Sequence, residues 1–256
     1  SMDELDSYFR IATTSVSSKG ESQNNLYILD PDLKIYGKTE GLAKGETVKS
    51  VRFMGEQAYV VNFRTIDPLF VIDVSIPSSP QVLGELKIPG YSTYLHPYEE
   101  GYLLGFGYDV AVENGREYHK GVKVSLFDIR DFYNPKEAST IILGGSGSYS
   151  EILHNHKSLL FDKQKNLIAF PAYLTKIEKS PMVQGEMIFN GLVILGMDNK
   201  NEIEYRGEIS HFERFEGTGL TDNDLLNNPV IRAIYSGSVL YTIGYRDIRA
   251  SDLNTF

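Results

Sequence analysis

Short apolar runs separated by turn residues follow one another along this chain, and sustained helical periodicity is scarce. Between residues 47 and 88 the runs are VKSVRFM, then AYVVNF after Gly55-Glu56-Gln57, then LFVIDV and, past the break IPSSP, QVLGELKI. Apolar, β-branched and aromatic runs bounded by Gly, Pro, Asn and Ser predict four strands here. Alternation is imperfect and the inner runs are nearly all apolar, as expected of strands covered on both faces.

The pattern repeats. Asp30 closes LYILD and Asp73 closes FVID 43 positions later, while Tyr59 in QAYVV and Tyr102 in EGYLL are also 43 apart. A third copy is longer, with 26 residues from Tyr102 to Asp128 against 14 from Tyr59 to Asp73. The excess falls in YDVAVENGREYHKG, which reads as a polar hairpin insertion turning at Asn114-Gly115. A fourth copy runs through LIAFPAY and GLVILGMD, with an insertion from Lys176 to Met187, and a fifth begins at PVIRAIYSGSVLYTIGYRDIRASDL. The opening copy, YFRIATT followed by NLYILDPDLKIYG, reads as lacking its first strand. The stretch TGLTDNDLLNN, with Thr221 as N-cap and Asp224 three residues on, predicts a short helix.

A four-stranded unit repeated with a fixed period is the mark of a propeller blade, whereas a β-sandwich shares the strand spacing but gives no reason for the period. The expectation is an all-β fold, a β-propeller of four-stranded antiparallel blades with about five units, at 8–48, 49–90, 91–147, 148–211 and 229–256. Residues 1–7 read as a leader or tag remnant, and both end units read as incomplete, so that either the two ends share one blade or the chain is a piece of a larger propeller.

Composition narrows the partners. The chain of 256 residues has 25 Lys and Arg against 34 Asp and Glu, a formal charge of −9, which disfavours tracking of a nucleic-acid backbone. Absence of cysteine removes disulfides, thiolate zinc sites, iron–sulfur clusters and cysteine nucleophiles together. No apolar run approaches the ~18 residues of a membrane span, and SMDELDSYFR has no signal-peptide pattern, so the chain as given reads as soluble.

YFRIATT, the stretch from NLYILDPDLKIYG through DPLFVIDVSIPSSPQVLGELKIPG and YLHPY, and VKVSLFDIRDFYNPKEASTIILGGSGSYSE together resemble the secreted bacterial β-propeller domain family, over most of residues 8–255. That family carries its propeller in a C-terminal region distantly related to WD-type repeats, and no reaction is assigned to it. VIDVSIPSSPQVLGEL and LFDIRDFYNPKEAST are also similar to the LVIVD repeat of bacterial and archaeal surface proteins. The resemblance implies export or cell-surface placement within a longer protein that carries further blades or domains. Within the repeat, Asp at the end of the third strand is suited to accept N–H bonds in the turn that follows, and Pro to close that turn.

Candidate chemistry is sparse. His154 and His156 in LHNH, read as a strand, fall on one side and make a weak metal pair, with His96 of YLHPY as a third ligand; histidines tying neighbouring blades are the plainer reading. LGGSGS at 143–148 completes neither a phosphate cradle nor a nucleophile elbow and reads as a loop. Asp128 with Asp131 and Asp30 with Asp32 lack the spacing of a calcium loop and read as turn caps. Glu99, Glu100, Glu213 and Glu216 read as surface positions, and Arg64 with Asp67 forms a polar loop. The aromatic loops GYSTYLHPY and GSYSE offer Tyr91, Tyr94, Tyr98 and Tyr149 to a glycan or peptide.

The candidate ligand-binding residues are therefore Tyr91, Tyr94, His96, Tyr98, Tyr149, His154, His156, Arg64 and Asp67, with no catalytic set and no cofactor. The leading expectation is a non-enzymatic exported or cell-surface propeller that binds a protein, peptide or glycan, with no nucleic acid and no membrane span. One alternative is an extracellular hydrolase or metal-dependent enzyme with its site at the channel mouth around His96, His154 and His156. The other is an array of blades that only spaces a neighbouring domain.

Overall fold

A computed structural model describes residues 1–63, 67–113, 115–211 and 229–256. Arg64, the turn residue Asn114, Glu213, Glu216 and the expected helix at Thr221 lie outside the described residues, as does the side chain of Asp67. Among the described residues there are five sheets, each an antiparallel meander in chain order. Sheet 1 holds β1 (Met2–Leu5), β2 (Tyr8–Val16), β3 (Ser22–Leu29) and β4 (Ile35–Leu42). Sheet 2 holds β5 (Thr47–Met54), β6 (Gln57–Phe63), β7 (Asp67–Asp73) and β8 (Gln81–Ile88). Sheet 3 holds β9 (Tyr91–Glu99), β10 (Tyr102–Glu113), β11 (Arg116–Asp128) and β12 (Lys136–Leu143). Sheet 4 holds β13 (Leu160–Asp162), β14 (Leu167–Thr175), β15 (Met187–Met197) and β16 (Ile203–Ile209). Sheet 5 has three strands, β17 (Val230–Ser236), β18 (Val239–Gly244) and β19 (Ile248–Asp252).

Two sequence expectations change at the start of the chain. Residues 2–5, read as leader, form β1 and pair with β2 from Met2 opposite Ile11 to Leu5 opposite Tyr8. The opening unit therefore has the first strand that its sequence reads as lacking, because MDEL is too polar to be read as a buried strand.

The chain divides into two compact units, residues 1–107 with 125–138 and residues 108–124 with 139–256. In the first, the two-residue period of a strand sends neighbouring side chains to different cores. Ala58, Val60, Phe70 and Ile72 of sheet 2 pack with Leu26 and Ile28 of sheet 1. Tyr59, Val61, Leu69 and Val71 pack with Leu95, Leu103 and Phe127 of sheet 3 and with Ile129 just after β11. This is why AYVV and LFVI carry no polar positions: both faces are covered, and each fully buried large side chain contributes roughly 1.5–3 kcal/mol. In the second unit Leu167, Ala169, Leu192 and Ile194 of sheet 4 pack with Val230, Ala233 and Leu240 of sheet 5. Outer strands such as β8 and β12 show the opposite pattern, with exposed positions recurring along their length.

A repeated turn joins the sheets. Asp30, Asp73, Asp128, Asp198 and Asp252, each the last residue of the third strand of its sheet or the one just after it, accept the N–H of the residue two positions on, at 2.8–3.1 Å. Beside that turn the pairing of the third and fourth strands slips, after Ile28, Val71 and Ile194. The outer-strand residue opposite each slip is glycine: Gly37, Gly84 and Gly207. A Cβ at Gly37 would overlap the Pro77 carbonyl oxygen, and one at Gly84 the Phe132 carbonyl oxygen, so the glycine seats the turn of the next sheet. At Gly207 the Phe256 ring takes the same place. On β12, Ser139 does the work by hydrogen bonding, its Oγ accepting the Ile203 N–H at 2.9 Å.

Gly84→Ala should therefore cost about 1–3 kcal/mol in urea unfolding, as overpacking against fixed backbone does. The backbone N–H bonds from Glu202 and Lys200 hold the Asp198 carboxyl below the usual carboxylate range. A depressed carboxylate contributes stability that is full above the unfolded pKa and is lost as pH falls through the folded one. Asp198→Asn keeps the cap but cannot titrate, so its stability should fall less steeply below about pH 4 than the parent's.

Candidate functional site

The inner edge of sheet 4 is interrupted. Tyr149 makes an isolated bridge to Tyr173, with both N–H···O distances 2.8 Å, and pairing resumes where Leu160 faces Ala169. Eleven positions thus cover the span for which β14 uses four. The excess loops out as two 3₁₀ turns, Glu151–Leu153 and His156–Ser158. The Ser150 hydroxyl donates to the Pro171 carbonyl at 2.5 Å and accepts the Ile152 N–H at 3.3 Å, and Asn155 Oδ1 accepts the Lys157 N–H at 3.2 Å. Ile152, Leu153 and Ser158 are buried and anchor the excursion. Pro171 stands in β14 where the inner strand is missing and has no N–H to leave unpaired.

Beside this excursion lies a cavity of about 900 Å³ between sheets 4 and 5. Its apolar walls come from Pro171 and Ala172 of β14, Val230 and Ile231 of β17, and Ile243 of β18. Tyr149, Tyr173 and Tyr245 present aromatic surface to it, and Glu151, Asn155, Gln184 and Arg232 are among its polar groups. Gly147, at φ +96°, lets Gln184 close over the loop, since a Cβ there would meet the Gln184 side chain.

The charged groups are set differently. The Tyr149 hydroxyl donates to Glu151 Oε2 at 3.1 Å, and Asn155 Nδ2 approaches Glu151 Oε1 at 3.4 Å. Burial first, then the bond to Glu151, pushes the Tyr149 phenol up to about 12, so it stays protonated and keeps donating at neutral pH. The Glu151 carboxylate is thereby oriented before any ligand arrives. Arg232 is exposed and has no ion pair among the described residues. Glycoside hydrolysis uses two carboxyl groups, and Glu151 is the only one among the described lining residues.

A second polar chain lies near the end of β16. His211 Nδ1 is 2.6 Å from Asp247 Oδ1, His211 Nε2 is 2.7 Å from Thr242 Oγ1, and Arg249 Nη2 donates to the His211 carbonyl at 2.6 Å. The connectivity is that of a nucleophile relay. Thr242 and the imidazole of His211 are fully buried, however, which leaves the hydroxyl out of reach of a substrate and makes the chain a tie between β16, β18 and β19.

Of the residues singled out from sequence, Tyr149 lines the cavity and His154 stacks on it at 5.8 Å. LHNH is not a strand: His154 ends the first 3₁₀ turn and His156 opens the second, both exposed, because the Ser150 and Asn155 caps favour tight turns over extension. GYSTYLHPY is not a loop but β9, in the first unit. There the Tyr94 hydroxyl meets His96 Nδ1 at 2.8 Å, Tyr91 lies beneath the Lys49 ammonium, and Tyr98 is half-buried. Among the described residues no group of three or more His, Asp or Glu is placed to hold a metal ion. Glu151, Tyr173, Arg232 and Tyr245 were missed by sequence reasoning; only the break of the repeat between GSYSE and LIAFPAY signals their neighbourhood.

Fold and sequence together place the chain in a defined class. It belongs to the β-propeller domain family, whose pattern it matches over residues 1–256. Uncharacterised proteins of the archaea Methanocaldococcus jannaschii and Archaeoglobus fulgidus are each 35% identical to it across 100% of its length. The chain spans 35% and 33% of those relatives, about a third of each. Among solved structures a mutant of Synechocystis apocarotenoid oxygenase aligns with 96% of this chain and 56% of its own, at 5% identity and a TM-score of 0.44, too distant to bear on function.

Ser150→Ala removes a buried hydroxyl that bonds the Pro171 carbonyl and should cost about 1–2 kcal/mol in urea unfolding. Tyr149→Phe removes only a partly exposed bond and should change stability by less than about 0.5 kcal/mol.

Proposed function

We propose that this chain is a non-catalytic recognition module of a longer, exported protein and holds a peptide or glycan segment in the cavity between sheets 4 and 5. One observation carries the reading. An oriented carboxylate, Glu151, and a guanidinium with no ion pair among the described residues, Arg232, share a cavity with three tyrosines, and Glu151, Arg232 and Tyr173 are held on the capped excursion, β17 and β14. Tyrosine supplies broad contact area at low entropic cost and an apolar face for sugar rings or peptide side chains. The cavity volume is within the range of ligand pockets. A single carboxylate among the described lining residues favours binding over hydrolysis. Export rests on the family resemblance and the absence of cysteine, and the longer parent on the third of the relatives' length that this chain spans.

Screening the intact chain against glycan and peptide arrays should give saturable binding that Tyr149→Ala and Arg232→Ala each weaken about tenfold, a change of 1.4 kcal/mol, without altering the far-ultraviolet spectrum. Turnover of a bound glycan that disappears in Glu151→Gln would replace the binding reading with the hydrolase one.

A further inference from the structure

A second cavity, of about 340 Å³, lies in the first unit between β5 and β9. It is lined by the run from Val48 to Arg52 and by Thr93, Tyr94 and Leu95, with Ser1 at its rim. Two of its side chains are cations, Lys49 and Arg52, and none among the described lining residues is an acid. That is unexpected in a chain whose 34 acidic residues outnumber its 25 basic ones.

Two buried polar atoms of this lining lack partners. Arg52 Nε and Ser50 Oγ are shielded from solvent and make no hydrogen bond. Buried polar groups are nearly always satisfied, and each orphan forfeits about 1–3 kcal/mol, more when the group is charged. No ion pair offsets the Arg52 charge among the described residues. Its field is felt by its neighbours: the His96 imidazole is held down to about 4, by burial first and then by the Arg52 charge. Burial raises the Tyr94 phenol while Arg52 opposes the rise. The Lys49 ammonium stands 5.3 Å over the Tyr91 ring, a second cation on the same wall.

A strand with only a packing role would not bring an uncompensated guanidinium and an unpaired hydroxyl to one cavity. We propose that this cavity is an oxyanion site for a phosphoryl group, with the Arg52 guanidinium and the Ser50 hydroxyl as its direct donors and Lys49 as its second positive charge. Guanidinium matches phosphoryl oxygens in paired, charge-assisted hydrogen bonds. A guanidinium with no ion pair among the described residues, beside a second cation on the same wall, suits a dianionic phosphoryl group better than a carboxylate. The volume exceeds that of a bare phosphate ion and leaves room for the alcohol portion of a phosphomonoester. The proposal is independent of the peptide or glycan cavity, which lies in the other unit.

The test is calorimetric titration and thermal unfolding of the intact chain with inorganic phosphate, O-phosphoserine and acetate at matched ionic strength. Saturable binding is expected with phosphate, phosphoserine or both, and the tighter of the two tells free ion from ester. Arg52→Gln should weaken it at least tenfold while the ligand-free protein melts at the same temperature or higher, because an uncompensated cation has been removed. Ser50→Ala should weaken binding severalfold and leave the fold intact. The proposal is overturned if neither phosphate probe saturates, if acetate binds as tightly as they do, if both Arg52→Gln and Ser50→Ala keep parental affinity, or if Arg52→Gln lowers the melting temperature of the ligand-free protein by several degrees.

Discussion

The seating of one turn on one glycine holds this architecture together. An antiparallel meander buries its middle strands only if something covers both its faces, and a sheet of three or four strands has no cover of its own. Here an aspartate at or just past the end of each third strand fixes the following turn, and the turns at Pro77 and Phe132 rest on Gly37 and Gly84 of the preceding sheet. The slip in pairing opposite each glycine twists the outer strand at that point. The cores around Val60 and Val71, which sheet 2 shares with sheets 1 and 3, are built on the strands that these turns follow. Where Ser139 replaces glycine, a side-chain hydrogen bond to Ile203 substitutes for close approach.

The candidate sites lie where this regularity gives way. In sheet 4 the inner strand is broken and its excess length becomes a capped excursion carrying Glu151 and Asn155 toward a cavity. In sheet 2 the lining residues Ser50 and Arg52 bring two of the buried unpaired polar atoms to one cavity. Both departures cost folding free energy locally, and the repeat packing of the remaining sheets offsets them. Sites of local inconsistency are where function is expected in an otherwise self-consistent sequence.

Much of the fold was legible because burial on both faces writes itself into composition. AYVV, LFVI, LIAF and LVIL are strands by their lack of polar positions, and the aspartate echo marks their ends. The opening strand was illegible for the converse reason: MDEL is a polar strand with alternating exposure, held by pairing with β2 and not by its own apolar content. His154 and His156 misled because their spacing fits a strand, while the caps at Ser150 and Asn155 that turn the chain act through single hydrogen bonds. Tyr149 was found because an aromatic cluster in a glycine-rich loop is conspicuous; Arg232, Arg52 and Ser50 were not, since nothing in a linear run distinguishes a charge that finds a partner from one that does not.

By itself the sequence determined the strand content, the repeat, the aspartate turns and the exclusion of cysteine chemistry, because each is a local preference repeated until chance is an inadequate account. Only the tertiary structure decided which groups meet: that Glu151 is oriented by Tyr149, that Thr242 is sealed behind His211, and that Arg52 shares a cavity with Ser50 and no acid among the described lining residues. Those outcomes depend on contacts between residues distant in sequence, and on burial, which sets the cost of leaving a charge or a hydroxyl unpaired.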